Sequence, residues 1–155
     1  MTHSSVIQGA FTLERHFPVP RSRLFQAWSD KDELSIWAAP APGWTYETDR
    51  YEFRVGGVEI SRFGPPGEEP FQVNSRFDDI MQDQRIVTAF SVARGVQRIS
   101  STVLCVEFHA DRDGARLVLN ETGMFFEGRE TPDMRRNGTL QQIEQLGAYL
   151  SRAAA

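Results

Sequence analysis

The chain has 155 residues, with 17 Lys+Arg against 21 Asp+Glu and 40% of its residues apolar. That length fits one domain spanning residues 1–155, which buries roughly 70% of its unfolded surface without covalent staples. The lone Cys105 excludes an intramolecular disulfide and any multi-cysteine metal site, and it fits a reducing compartment.

The basic residues are 16 Arg and the single Lys31, scattered along the whole chain, and the pI is near 5.4. Apart from Arg135-Arg136 there is no basic cluster, so nucleic acid is not an expected partner. No apolar run is long enough to span a bilayer, and the start MTHSSVIQG has neither a basic nor an apolar leader region. A cytoplasmic location without membrane association is expected.

From Gln8 to Phe17 the residues alternate, with Phe11, Leu13, Arg15 and Phe17 on one parity, which predicts a strand with one buried face. Pro18 and Pro20 end it. Two short helices follow, Ser22 to Ser29 with Leu24, Phe25 and Trp28, and Asp30 to Trp37 with an Asp N-cap. The tryptophans Trp28 and Trp37 are expected to brace these helices.

Strands are then predicted at Trp44–Val55, Val58–Phe63, Phe71–Ile80, Arg85–Ala93, Ile99–Ala110 and Ala115–Phe125, the last pair joined by the hairpin signal Asp111-Arg112-Asp113-Gly114. Short turns between them make an antiparallel meander. Thr131-Pro132, followed by Asp133, opens a helix that runs to about Arg152. At 100° per residue, Thr139, Leu140, Ile143, Leu146, Gly147 and Leu150 form its apolar stripe, Arg136 projects into that stripe, and Gln141, Gln142 and Gln145 lie opposite. Gly147 reads as a close-packing position near the short helices.

These elements predict an α+β protein: a curved antiparallel sheet wrapped around a long C-terminal helix, with two short helices after the first strand. A sheet that grips a helix in this way tends to leave a hollow between them.

The chain resembles the START/Bet v 1-like superfamily with the helix-grip fold. Within it, the likeness is to bacterial single-domain proteins related to the C-terminal domain of the Hsp90 ATPase activator. The carriers are FTLERHFPVP at Phe11–Pro20, LFQAWSDKDELSIW at Leu24–Trp37, FRVGG at Phe53–Gly57, RIVT at Arg85–Thr88, RLVLNET at Arg116–Thr122, and Gly138-Thr139 at the start of a Leu-rich helix. The resemblance implies a pocket for lipids, sterols, polyketides or hormones, in which some members catalyse cyclisation or dehydration. It supplies no shared catalytic set.

Signatures of nucleophile-elbow hydrolases, P-loop enzymes and Rossmann dehydrogenases are absent from the sequence. The informative groups are charges on buried parities. Glu121 shares a face with Leu117 and Leu119, and either Arg15 or Arg136 could neutralise it; left unpaired, its raised pKa would suit acid–base work or ligand anchoring. Cys105, Glu107 and His109 share the less apolar face of their strand, so they are read as solvent-facing, and neither a metal nor another cofactor is expected.

The leading expectation is a small-molecule binding protein for a hydrophobic or aromatic ligand. Its pocket candidates are Arg15, Phe53, Phe77, Phe90, Phe108, Glu121, Arg136, Thr139, Leu140 and Ile143. A polyketide-cyclase-like enzyme working in the same pocket is the alternative, and the residues name no reaction. A co-chaperone-like interaction module related to the Hsp90 ATPase activator, with a chaperone as its partner, is a further alternative, and under any of these readings the chain is compatible with a homodimer.

Overall fold

The computed structural model describes residues 5–153. Seven antiparallel strands form one curved sheet: β1 (Val6–Phe17), β2 (Thr45–Tyr51), β3 (Val58–Gly64), β4 (Phe71–Met81), β5 (Arg85–Arg94), β6 (Gln97–Asp111) and β7 (Gly114–Phe126). Their order in the sheet is β1-β7-β6-β5-β4-β3-β2. The helices α1 (Arg21–Ser29) and α2 (Lys31–Trp37) carry the chain from β1 at one edge to β2 at the other, and α3 (Pro132–Ala153) follows the meander. No helix among the described residues is long and apolar enough to cross a membrane.

Local signals in the sequence explain the helix starts. Asp30 caps α2, its Oδ1 accepting from the backbone N–H of Asp32 and Glu33 at 2.8 and 3.1 Å. Thr131 caps α3 in the same way, with its hydroxyl accepting from Met134 N at 3.1 Å. In the β6–β7 hairpin the positive φ falls on Arg112, at 54°, and not on Gly114. Gly114 is needed for another reason, because a Cβ there would sit 2.2 Å from the carbonyl oxygen of Phe17.

Two expectations are corrected in the β2 region and on α3. The strand predicted at Trp44–Val55 ends at Tyr51, and residues 52–57 turn back through Gly56, at φ 83°, leaving Val55 exposed. Gln142 and Gln145 do not face solvent. Gln142 Nε2 donates to Ala38 O at 2.5 Å, and Gln145 Nε2 donates to the carbonyls of Trp37 and Ala39 at 2.8 and 2.7 Å. These amides satisfy the carbonyls that the C-terminus of α2 leaves without intrahelical partners, so the two helices are clamped together.

The core packs α1 and α3 against the β1–β7–β6 half of the sheet, through Leu24, Phe25, Phe108, Leu117 and Leu146, all nearly inaccessible to solvent, while α2 packs on α1, α3 and β2. Trp28 and Trp37 lie with their ring centroids 4.8 Å apart, and Trp37 Nε1 donates to Ala27 O at 2.9 Å, bracing the short helices as expected. Arg23, Glu33 and Tyr149 tie α1, α2 and α3, with Arg23 NH2 and the Tyr149 hydroxyl both 2.7 Å from Glu33 Oε1. Gly147 faces Phe17 of β1, not the short helices, and a Cβ there would meet that ring at an ordinary 3.7 Å. Because α2 reaches only β2 at the far edge, the β2–β5 half of the concave face is covered only in part.

Candidate functional site

Over that half lies a cavity of about 620 Å³, bounded by the sheet, the Ala38–Trp44 loop and the first turns of α3. It falls within the roughly 300–1,000 Å³ range of small-molecule sites. Strand register arranges its floor in rows. Glu59, Ser75, Phe90 and Thr102 are paired in succession from β3 to β6. A neighbouring row runs through Phe77, Thr88, Leu104 and Glu121 from β4 to β7. Opposed residues of antiparallel strands share a face, so both rows point inward.

One end of the cavity is built around Arg135. Its guanidinium holds Glu130 with two prongs, Nε to Oε2 at 2.9 Å and NH2 to Oε1 at 2.8 Å. It also reaches Glu121 Oε2 at 3.4 Å, Thr102 Oγ1 at 3.1 Å and Ser100 Oγ at 2.7 Å. The rings of Phe90 and Phe125 stand 5.5 and 5.2 Å from the guanidinium carbon. Burial alone would lower the Arg135 pKa, but pairing with Glu130 and Glu121 keeps it above its ordinary value.

Burial pushes Glu121 up to about 7, against the pull of Arg135. The carboxyl therefore keeps its proton in the folded protein over a range where the unfolded chain, near 4.5, has lost it. Its stabilising contribution is complete below 4.5, declines as pH rises to about 7, and is level above that, a loss of up to about 3 kcal/mol. Urea unfolding should show this decline in the wild type and not in Glu121→Gln. Equal slopes in the two proteins would contradict the assignment.

The opposite end is formed by β2 and β3. Glu59, 8% exposed, accepts on its Oε2 from the Tyr46 hydroxyl and from Ser61 Oγ, the latter at 2.6 Å. Tyr51 donates to Ser29 O. Burial first, then the Glu59 charge, raises the pKa of both tyrosines. Between the two ends the walls are mostly apolar or aromatic, including Val73, Phe77, Ile86 and Phe90. Also lining the cavity, Phe63 and Phe71 lie 5.2 Å apart in near-parallel planes, with Trp44 stacked 6.0 Å from Phe71.

Of the candidates read from the sequence, Phe77, Phe90, Glu121 and Thr139 line this cavity together. Arg15 has the expected inward parity but lies at the sheet edge, pairing with Glu144 at 2.6 Å. Phe53 packs on Phe77 and Phe25 at 5.2 and 5.9 Å, behind the cavity wall, and Phe108 is buried against Phe25 and Trp28. Leu140 and Ile143 cover Leu13 and Leu117 at a separate small recess of about 30 Å³.

Arg136 is exposed, and its place beside Glu121 is taken by Arg135. The reason is helix phase. Arg135, Thr139, Ile143, Leu146 and Leu150 define the inward face, rotated by about 40° from the stripe centred on the apolar residues alone. Cys105, Glu107 and His109 lie on the outer face of β6 as read, where His109 Nε2 and Glu107 Oε1 are 3.1 Å apart.

Sequence reasoning missed Arg135, Glu130, Tyr46 and Glu59. β3 inverts the usual pattern, with Glu59 and Ser61 buried while Val58 and Ile60 are half-exposed. The available signal was on β2, where Tyr46 and Thr48 alternate with the charged Glu47 and Asp49.

An α+β sheet gripping a helix over an inward cavity defines a helix-grip protein. Residues 18–151 match the model of the family described as Activator of Hsp90 ATPase homolog 1-like protein, and the chain belongs to that family. The Mll3558 protein from Rhizobium loti is 38% identical, with 93% of this chain and 98% of that one covered and a TM-score of 0.82. An uncharacterised protein from Rhizobium leguminosarum is 28% identical over 97% and 99% of the two chains, with a TM-score of 0.87. A Silicibacter pomeroyi protein of the same family name shares the fold at 19% identity, covering 94% and 99%, with a TM-score of 0.74. No curated protein matches the chain.

Proposed function

We propose that this protein binds an apolar, ring-containing small molecule in the cavity between the sheet and α3. The observation that carries this reading is the cavity itself: about 620 Å³, walled largely by aromatic and aliphatic side chains, with its carboxylates placed at its two ends. A space of this size gains by admitting an apolar body, and the few polar groups fix its orientation. Trp28, Trp37 and Trp44 all line the cavity, so intrinsic fluorescence can report occupancy.

A cyclase-like reaction would further require a group that exchanges a proton with the bound molecule, and Glu121, with its pKa near 7, is the residue suited to it. Binding requires only the cavity, and it is the reading adopted. Calorimetric titration with the neutral ring alcohol naphthylethanol should saturate at one molecule per chain. Absence of saturable heat with this alcohol and with charged analogues of the same ring body, together with unchanged tryptophan emission, would contradict the proposal.

A further inference from the structure

The two buried carboxylates of the cavity are not equivalent. Glu121 has Arg135 beside it, whereas among the described residues the ion pairs of the arginines all go to carboxylates other than Glu59. The partners of Glu59 are hydroxyls, and both Tyr46 and Ser61 donate to the same oxygen, Oε2. Its Oε1 is left to the cavity that the residue lines.

A carboxylate facing an apolar space without a counter-ion is costly, and neutral hydroxyls offset only part of that cost. The surroundings are suited to a cation. Tyr46 and Tyr51 line the same end, with the ring of Phe77 on the adjoining wall 5.9 Å from that of Tyr51 and perpendicular to it, and aromatic faces attract ammonium groups. The guanidinium of Arg135 is engaged with Glu121 and Glu130 at the far end of the cavity.

We infer that the ligand carries a protonated amine on its apolar ring body, and that the ammonium docks at Glu59 Oε1 between the rings of Tyr46 and Tyr51. This rests on the cavity being a small-molecule site. The row from Glu59 to Thr102 crosses three strand spacings, roughly 14 Å, so an amine at one end places the rest of the ligand along Ser75 and Phe90 toward Arg135.

Three ring compounds of one shape separate the possibilities: naphthylethylammonium, naphthylethanol and naphthylpropionate, titrated calorimetrically into the full chain near neutral pH. The ammonium should bind at least about tenfold tighter than the alcohol, and Glu59→Gln should bring the ratio of the two close to one. Equal affinities in the wild type, a preference for the carboxylate, or an ammonium preference that survives Glu59→Gln would each overturn the amine assignment while leaving the cavity reading intact. Failure of all three compounds to bind would overturn both. If Glu59→Gln does not fold, the NMR shift of the Glu59 carboxyl carbon in the wild type replaces it. The shift should move with the ammonium and not with the alcohol, and no movement with the ammonium overturns the assignment.

Discussion

Replacing Arg135 by Met should destabilise the protein by about 3–5 kcal/mol, the range found when one partner of a buried ion pair is removed. The arginine side chain is 10% exposed, and its partners Glu121 and Glu130 are 5% and 21% exposed, so its loss leaves two carboxylates where water reaches them poorly. Ser100 and Thr102 lose their guanidinium donor in the same step. The methionine fills the space between Phe90 and Phe125, which keeps packing changes small and isolates the electrostatic cost. The loss should be larger at pH 8 than at pH 5, because Glu121 is neutral in the folded protein at the lower pH. Adding Glu121→Gln should recover part of it, and a thermodynamic cycle over the two positions measures their coupling. A loss below about 1 kcal/mol at both pH values would mean that water, not Arg135, satisfies these carboxylates.

Trp37→Ala should cost a similar amount, about 3–5 kcal/mol, as expected for truncating a buried aromatic residue. Trp37 is 2% exposed, packs against Trp28 at a tilt of 52°, and donates its indole N–H to Ala27 O at 2.9 Å. It also forms part of the cavity wall, and its carbonyl receives Gln145 of α3, so one side chain joins the short helices, the long helix and the site. Trp37→Phe separates packing from hydrogen bonding: it should cost roughly 1–3 kcal/mol, because Ala27 O keeps its burial and loses its donor. Chemical unfolding measures both. Equal costs for the two variants would assign the whole effect to the hydrogen bond.

Periodicity made the strands, the helices and their order legible, because each element buries one face and its residues alternate or recur accordingly. The inward course of Glu121 was legible for the same reason, as it shares parity with Leu117 and Leu119, both buried. Its partner was not. Arg135 and Arg136 are adjacent, and which of them turns inward depends on a helix phase set by contacts with β1 and α2 rather than by the apolar stripe. Glu59 was hidden more deeply. Its strand turns polar residues inward because they face a cavity, and a rule that places apolar residues inside assigns such a strand the wrong way round. The polar ends of the site are thus where sequence patterning loses its force, since a site departs from the pattern that builds a core.

The central claim, that the cavity and no other surface receives the ligand, is tested most directly by methyl NMR during titration with naphthylethanol. Signals of Val73, Ile86, Val92 and Leu104, which line the cavity, should shift together and saturate. Those of Val6 and Val103, exposed at 57% and 51%, should stay in place. Shifts confined to Val6, Val103 and the neighbouring Met124, with the cavity methyls unmoved, would contradict the account.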